Sequence, residues 1–285
     1  MGNKHILTTE FYTQVFTAVR HPFVMVVCIL LGFNWGIEAW KWKILASNIE
    51  PITFFQALSG VFTGVCFGLI TPHGIGDYAG RVLQLQTSTR LQAIGAVFIS
   101  RIAQLLVTLV AGSGVLLYML YQRQISNSSL VNDTLMAFVL LTNIALVIVY
   151  FNFKQIVKLI KNKYTKPYVK IIARTHSSQM WTILILSALR YAVFSTQYIL
   201  LLYYVGIPCS IPTLAAGVAF VFIVKSIIPT FFDIGIREAA AIYFFSSLAT
   251  NVDSIVFASV LLWLINIVFP SIVGALMIFR IRLFS

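Results

Sequence analysis

Two stretches of the chain pair residues able to hold an anion with a backbone unable to continue a helix. Thr71–Arg81 reads TPHGIGDYAGR and Ile228–Ala240 reads IPTFFDIGIREAA. Each brings proline and glycine together with an arginine and a carboxylate. Arginine can grip a phosphate through two parallel N–H donors. A helix restarting after a break also presents amides and a positive dipole end, a seat for phosphate or carboxylate. The residues expected to contact such a ligand are Thr71, Pro72, Gly74, Gly76, Asp77 and Arg81 in the first break. In the second they are Pro229, Thr230, Asp233, Gly235, Arg237 and Glu238, with Lys225 just ahead of it.

Two further arginines, Arg101 and Arg190, sit within apolar runs. Arg190 lies about ten residues into its run, roughly 15 Å from the helix end at 1.5 Å per residue. A guanidinium at that depth is costly and reads as paired or functional. No acidic residue lies between Asp133 and Asp233, so its expected partners are Asp77, Asp233 or Glu238. Asp77 and Glu238 are also expected to neutralise the arginines of their own breaks when no ligand is bound. No nucleophile elbow, P-loop or HExxH motif is present, so no catalytic residue is assigned and the chain is not expected to be an enzyme. No metal set and no cofactor site is expected, and Cys28, Cys66 and Cys209 read as packing residues.

The elements that position these residues are written in the composition. Of 285 residues, 59% are hydrophobic and only 10% charged, against about 25% charged in a soluble domain. Continuous apolar runs of about 20 residues recur, as a bilayer span requires. The expected fold is all-α: a polytopic helical membrane protein of about 6–8 transmembrane helices with two broken or re-entrant segments. Trp35, Trp40, Trp42, Lys41 and Lys43 read as an interfacial belt closing the first span. The net charge of +12 fits basic loops and anionic headgroups rather than nucleic acid.

Residues 152–178 carry Lys154, Lys158, Lys161, Lys163, Lys166, Lys170 and Arg174 and no acid, and are read as a cytoplasmic loop. Eight passes around it place both termini in the cytoplasm, and a break that turns back would alter that count. Residues 1–285 form a single transmembrane domain. Two halves, 22–151 and 180–280, each hold one break and read as an internal repeat, a common transporter device.

The motifs resemble the flippase-like transmembrane region of lysylphosphatidylglycerol synthases and related stand-alone bacterial membrane proteins. TPHGIGDYAGR is similar to the family's early Pro-x-x-Gly-acid…Arg segment, and IPTFFDIGIREAA to its late Gly-x-Gly-x-Arg-Glu segment, with Asp233 in place of the first glycine. SRIAQL, at Ser100–Leu105, is similar to its Glu-Arg motif, with Ser100 and Gln104 where acids are usual. The resemblance implies movement of a lipid or lipid-linked headgroup between leaflets of the cell inner (plasma) membrane. It does not imply lysyl transfer, because the chain holds no soluble synthase domain. The expected function is therefore a flippase-like translocator of an anionic phospholipid or lipid-linked headgroup. The alternative is a membrane-embedded enzyme or accessory subunit modifying headgroups or lipid-linked sugars. Expected partners are membrane lipids and a lipid synthase or glycosyltransferase.

Overall fold

The computed structural model describes residues 17–18, 20–83, 85, 90–121, 128–159, 171–172, 174–228, 232, 234–246, 248 and 251–283. Among them every regular element is helical. Helix α1 (Pro22–Ala46) starts at a proline, with His21 accepting from the Phe23 amide. Helix α2 (Phe54–Leu69) opens on a capping box in which Thr53 and Gln56 satisfy each other's amides. A single tight turn (Pro72–Gly74) leads into the short α3 (Gly76–Leu83). Then come α4 (Arg90–Tyr121), α5 (Ser129–Leu159) and α6 (Ser177–Tyr204). Helix α7 (Ile211–Ile227) is capped by Ser210, and α8 (Ile236–Phe245) follows the second break. Helix α9 (Val252–Trp263) passes through a wider π turn (Leu264–Val268) into α10 (Phe269–Leu283).

Five stretches are long and apolar enough to cross a bilayer: α1, α4, α5, α6 and the α9–α10 unit. Their outer faces carry exposed large apolar residues, such as Phe138, Leu141, Ile144 and Ile148 on α5. In water such a surface would be a liability; in lipid it is the solvent-facing side. The two remaining apolar helices, α2 and α7, are shorter. At 16 residues α2 spans about 24 Å, less than a hydrocarbon core of about 30 Å.

Both breaks are the tips of hairpins. Helix α3 runs back along α2, so that a Cβ on Gly80 would lie 2.4 Å from both Cα and N of Gly64. One on Gly76 would lie 2.1 Å from the Phe67 carbonyl oxygen. The glycines at 60, 64 and 68 on α2, and at 76 and 80 on α3, recur every fourth residue and face one another. This is how helices approach closely inside a membrane. In the second hairpin α8 folds back on α7, with Phe244 and Phe245 against Gly217. Gly80→Val is expected to cost about 1–3 kcal/mol by overpacking, read as a lower unfolding temperature in detergent. Gly114→Ala, which meets nothing within 4 Å, is the control and should not destabilise.

Helices α1 and α6 pack antiparallel. Gln197 near the end of α6 donates to the Val27 carbonyl near the start of α1, and Asn48 just past α1 pairs with Gln179 at the start of α6. Helix α2 packs on α10, while its counterpart α7 packs on α4. The core is correspondingly split. One cluster joins Trp42, Leu45, Ala57, Val61, Ala93 and Met180, and holds the first hairpin. The other joins Val24, Val27, Leu201, Val218, Ala241 and Ile255 at the opposite end, and holds the second. The hairpins therefore enter from opposite ends of the bundle.

Because both hairpins turn back, α1 begins at one end of the bundle and α10 finishes at the other, where eight full passes would have returned the chain to its starting end. The tryptophan-lysine belt is also divided. Trp40 is exposed, but Trp35, Trp42 and Lys41 are buried. The stretch read as a loop, 152–178, is helical up to Leu159, where α5 ends; residues 160–170 lie outside the described ones.

Candidate functional site

A cavity of about 620 Å³ lies between the hairpin tips, within the range of small-ligand sites. The first hairpin contributes Thr71, Gly74, Asp77 and Arg81, and the second Lys225 and Ser226. Helix α1 adds Asn34, Trp35, Glu38 and Lys41; α4 adds Ser100, Arg101 and Gln104; α6 adds Arg190, Tyr191 and Phe194. Asn266, in the π turn, closes one wall and accepts a hydrogen bond from Asn34 at 2.9 Å. A π turn widens the helix and is often found at functional sites.

Three guanidiniums and two carboxylates form one continuous chain. Arg101 donates to Asp77 Oδ2 at 2.8 Å and to the Gly74 carbonyl at 3.0 Å. Asp77 Oδ1 accepts from Arg81 Nε at 2.8 Å. Arg81 Nη2 donates to Glu38 Oε1 at 2.8 Å, and Lys41 to Glu38 Oε2 at 3.1 Å. Arg190 reaches Glu38 only at 3.5 Å, beyond good hydrogen-bond length. Its guanidinium instead lies 5.1 Å from the centroid of the Trp35 ring, a cation–π contact. Two buried donors in this chain, Arg81 Nη1 and Arg190 Nε, have no partner. Unpaired buried donors of charged groups are costly, and they cluster where a ligand completes the set.

The charges do not balance. Among the described lining residues four cations, Lys41, Arg81, Arg101 and Arg190, share two carboxylates, Glu38 and Asp77. Excess positive charge away from water calls for an anion.

The structure brings together much of what the sequence singled out: Thr71, Gly74, Asp77, Arg81, Arg101, Arg190 and Lys225 all line the cavity. Pro72, Gly76, Gly235, Arg237 and Glu238 do not. Pro229, Thr230 and Asp233 lie outside the described residues. Arg237 is buried within the second hairpin and donates to Glu238 Oε1 at 2.6 Å, while Glu238 Oε2 accepts from the Gly235 amide at 2.7 Å. That carboxylate thus caps α8 and neutralises the arginine at once. Gly235 sits at φ 98°, a conformation that favours glycine.

One amide of each expected seat is already taken. The Gly76 N–H donates to Thr71 Oγ1 at 2.7 Å, as the Gly235 N–H does to Glu238. The donors that face the cavity are therefore chiefly side chains. Glu38 is the residue sequence reasoning missed, and among the described residues it, not Asp77 or Glu238, is the carboxylate ion-paired with Arg190. Its signal was the spacing of Asn34, Glu38 and Lys41, which places all three on one helical face. Among the described residues no group of three or more His, Cys, Asp or Glu side chains could hold a metal.

The chain matches the family described as "Lysylphosphatidylglycerol synthase TM region" over residues 7–274. No curated protein and no solved structure matches it. The chain belongs to that family, which makes it a multi-pass membrane protein of lipid-related function.

Proposed function

We propose that this member of the lysylphosphatidylglycerol synthase TM region family moves an anionic lipid headgroup across the membrane through the cavity between its hairpin tips. One observation carries the proposal: two hairpins entering from opposite ends meet at a cation-rich cavity. Reciprocal halves around a central site are the architecture of alternating access, in which one half rocks against the other. Apolar walls such as Tyr191 and Phe194 suit the upper part of a lipid while guanidiniums hold its phosphate. A lysyl headgroup would add ammonium groups to a cavity that already carries an excess of them, so the phosphate is the group recognised.

Sidedness follows from the basic residues of 152–178 together with Arg280 and Arg282. The positive-inside rule puts that end, with the C-terminus, in the cytoplasm of a plasma-membrane protein. The first hairpin then enters from the cytoplasm and the second from outside, and α1 begins at the outer end.

Alternating access is testable at Ser226, on the cavity wall. In protein with Cys28, Cys66 and Cys209 replaced by serine, Ser226→Cys in sealed vesicles is expected to react with a membrane-impermeant thiol reagent added to either side. Reaction from one side only, with and without anionic lipid, would argue against a translocation route.

A further inference from the structure

We propose that the headgroup taken by this cavity carries uncharged hydroxyl donors beside its phosphate, as a glycerol or sugar phosphate does. The proposal rests on the reading of the cavity as a headgroup site and names what that site recognises besides the phosphate. The unpaired polar atoms of the cavity residues are of two kinds. Arg81 Nη1, Arg190 Nε and Trp35 Nε1 are donors, and ionised phosphate oxygens satisfy such groups. Asn34 Oδ1 and Gln104 Oε1 are acceptors, both buried and both without a partner. An ionised phosphate has no proton to offer them. An unmet buried amide oxygen is costly, so a ligand that meets only the donors leaves half of the set unsatisfied.

The other end of each amide fixes which way its oxygen faces. Gln104 Nε2 donates to the Ser187 carbonyl at 3.4 Å, and Asn34 Nδ2 to Asn266 Oδ1 at 2.9 Å. Turning either group over would set oxygen against oxygen at these contacts. The two acceptors flank Arg190. Ser187, which Gln104 reaches, stands one turn before Arg190 on α6. Asn34 stands one turn before Glu38 on the antiparallel α1, and Glu38 pairs with Arg190 at 3.5 Å. Each acceptor is therefore displaced about 5 Å from Arg190 along the bundle, one to each side. A hydroxyl two or three carbons from a phosphate falls at that spacing. The donor required is neutral. Both acceptors are uncharged amides, and an ammonium placed against them would sit beside Arg190, and at Gln104 also beside Arg101 one turn away on α4, where like charges repel.

The test uses the full chain in mild detergent, with binding read as a thermal shift and by native mass spectrometry. The probes share their acyl chains: phosphatidylglycerol, phosphatidylpropanol (the same phosphodiester and three carbons without hydroxyls) and phosphatidylethanolamine (an ammonium as the donor). Glycerol 3-phosphate and propyl phosphate are their soluble counterparts. Phosphatidylglycerol is expected to bind about tenfold more tightly than phosphatidylpropanol, the scale of meeting one or two buried acceptors, and more tightly than phosphatidylethanolamine. The preference over phosphatidylpropanol should shrink to about twofold in Gln104→Met, which keeps the length of the side chain and removes the acceptor. If that variant does not fold, Asn34→Leu with Asn266→Leu, which removes both ends of one hydrogen bond, is expected to give the same narrowing. Equal affinity for phosphatidylglycerol and phosphatidylpropanol overturns the proposal. So does phosphatidylethanolamine binding as tightly as phosphatidylglycerol, or a preference unchanged in a folded variant. Preference for glycerol 3-phosphate over propyl phosphate, with no lipid bound, keeps the hydroxyl chemistry and assigns the cavity to a soluble ester instead of a headgroup. Because nothing here requires transport, the outcome is separable from that of the function above. Selective binding without lipid movement sinks translocation alone, and movement without hydroxyl selectivity sinks this proposal alone.

Discussion

Replacing Glu38 with alanine is expected to destabilise the protein by about 3–5 kcal/mol, the cost of removing one partner from a buried ion pair. The size follows from what the carboxylate does. It lies within 2.8 to 3.5 Å of three cations, Arg81, Lys41 and Arg190. Two of the three, Arg81 and Lys41, are almost wholly buried. Without Glu38, Lys41 loses its only ion-pair partner among the described residues, and Arg81 keeps Asp77 alone. The buried cations would repel one another with nothing between them. Thermal unfolding in detergent measures the loss. Adding Lys41→Met to Glu38→Ala is expected to recover part of it, because a lysine stem can be replaced by an apolar side chain of similar length while one stranded charge disappears. If Glu38→Ala melts at the wild-type temperature, or if Lys41→Met deepens the loss, the carboxylate is not what holds these cations in place.

Much of this centre was legible in the chain. The breaks at Thr71–Arg81 and Ile228–Ala240 announced themselves by proline, glycine and charge within hydrocarbon. Asp77 and Arg81, four residues apart, share a helical face and do pair. The depth of Arg190 announced a partner. Other features were hidden for identifiable reasons. A helix that crosses the bilayer and one that turns back have the same hydropathy, so the order of termini could not be read from span counting. The clue lay in spacing: glycines at 60, 64, 68, 76 and 80 mark two helix faces that can touch backbone to backbone.

Glu38 and Lys41 were concealed by their company. Three tryptophans and two lysines at the end of a span have the composition of an interfacial belt, and only packing against α6 and the first hairpin separates the buried members from the exposed ones. The filled amides of Gly76 and Gly235 were within reach of sequence reasoning. Glu238 three residues after Gly235 follows the spacing of a helix cap, and recognising it assigns Arg237 to that cap rather than to the cavity. That Arg237 and Glu238 do not line the cavity while Lys225 does is a matter of which way the second hairpin faces, which no local pattern encodes.

Arg190 is the residue on which translocation is expected to depend most. It lies on α6 opposite the first hairpin, is held loosely by Glu38 and laterally by Trp35, and keeps Nε unpaired. A headgroup phosphate could take over its contacts with little structural cost, which is what a transport site needs of a binding residue. Glutamine keeps much of the length and some hydrogen bonding but removes the charge, and glutamine at this depth is less costly than arginine. The variant should therefore fold while its lipid handling fails. The measurement is leaflet exchange in proteoliposomes containing a fluorescent anionic phospholipid, with quencher added outside after reconstitution. Wild-type protein is expected to render nearly all of the labelled lipid accessible, and Arg190→Gln, reconstituted to the same level and with an unchanged unfolding temperature, to slow exchange about tenfold or more, the rate equivalent of losing one charged contact of about 1.5–3 kcal/mol. Exchange at the wild-type rate in that folded variant, or no exchange above protein-free vesicles in the wild type, would contradict the assignment of this cavity as the route for a lipid headgroup.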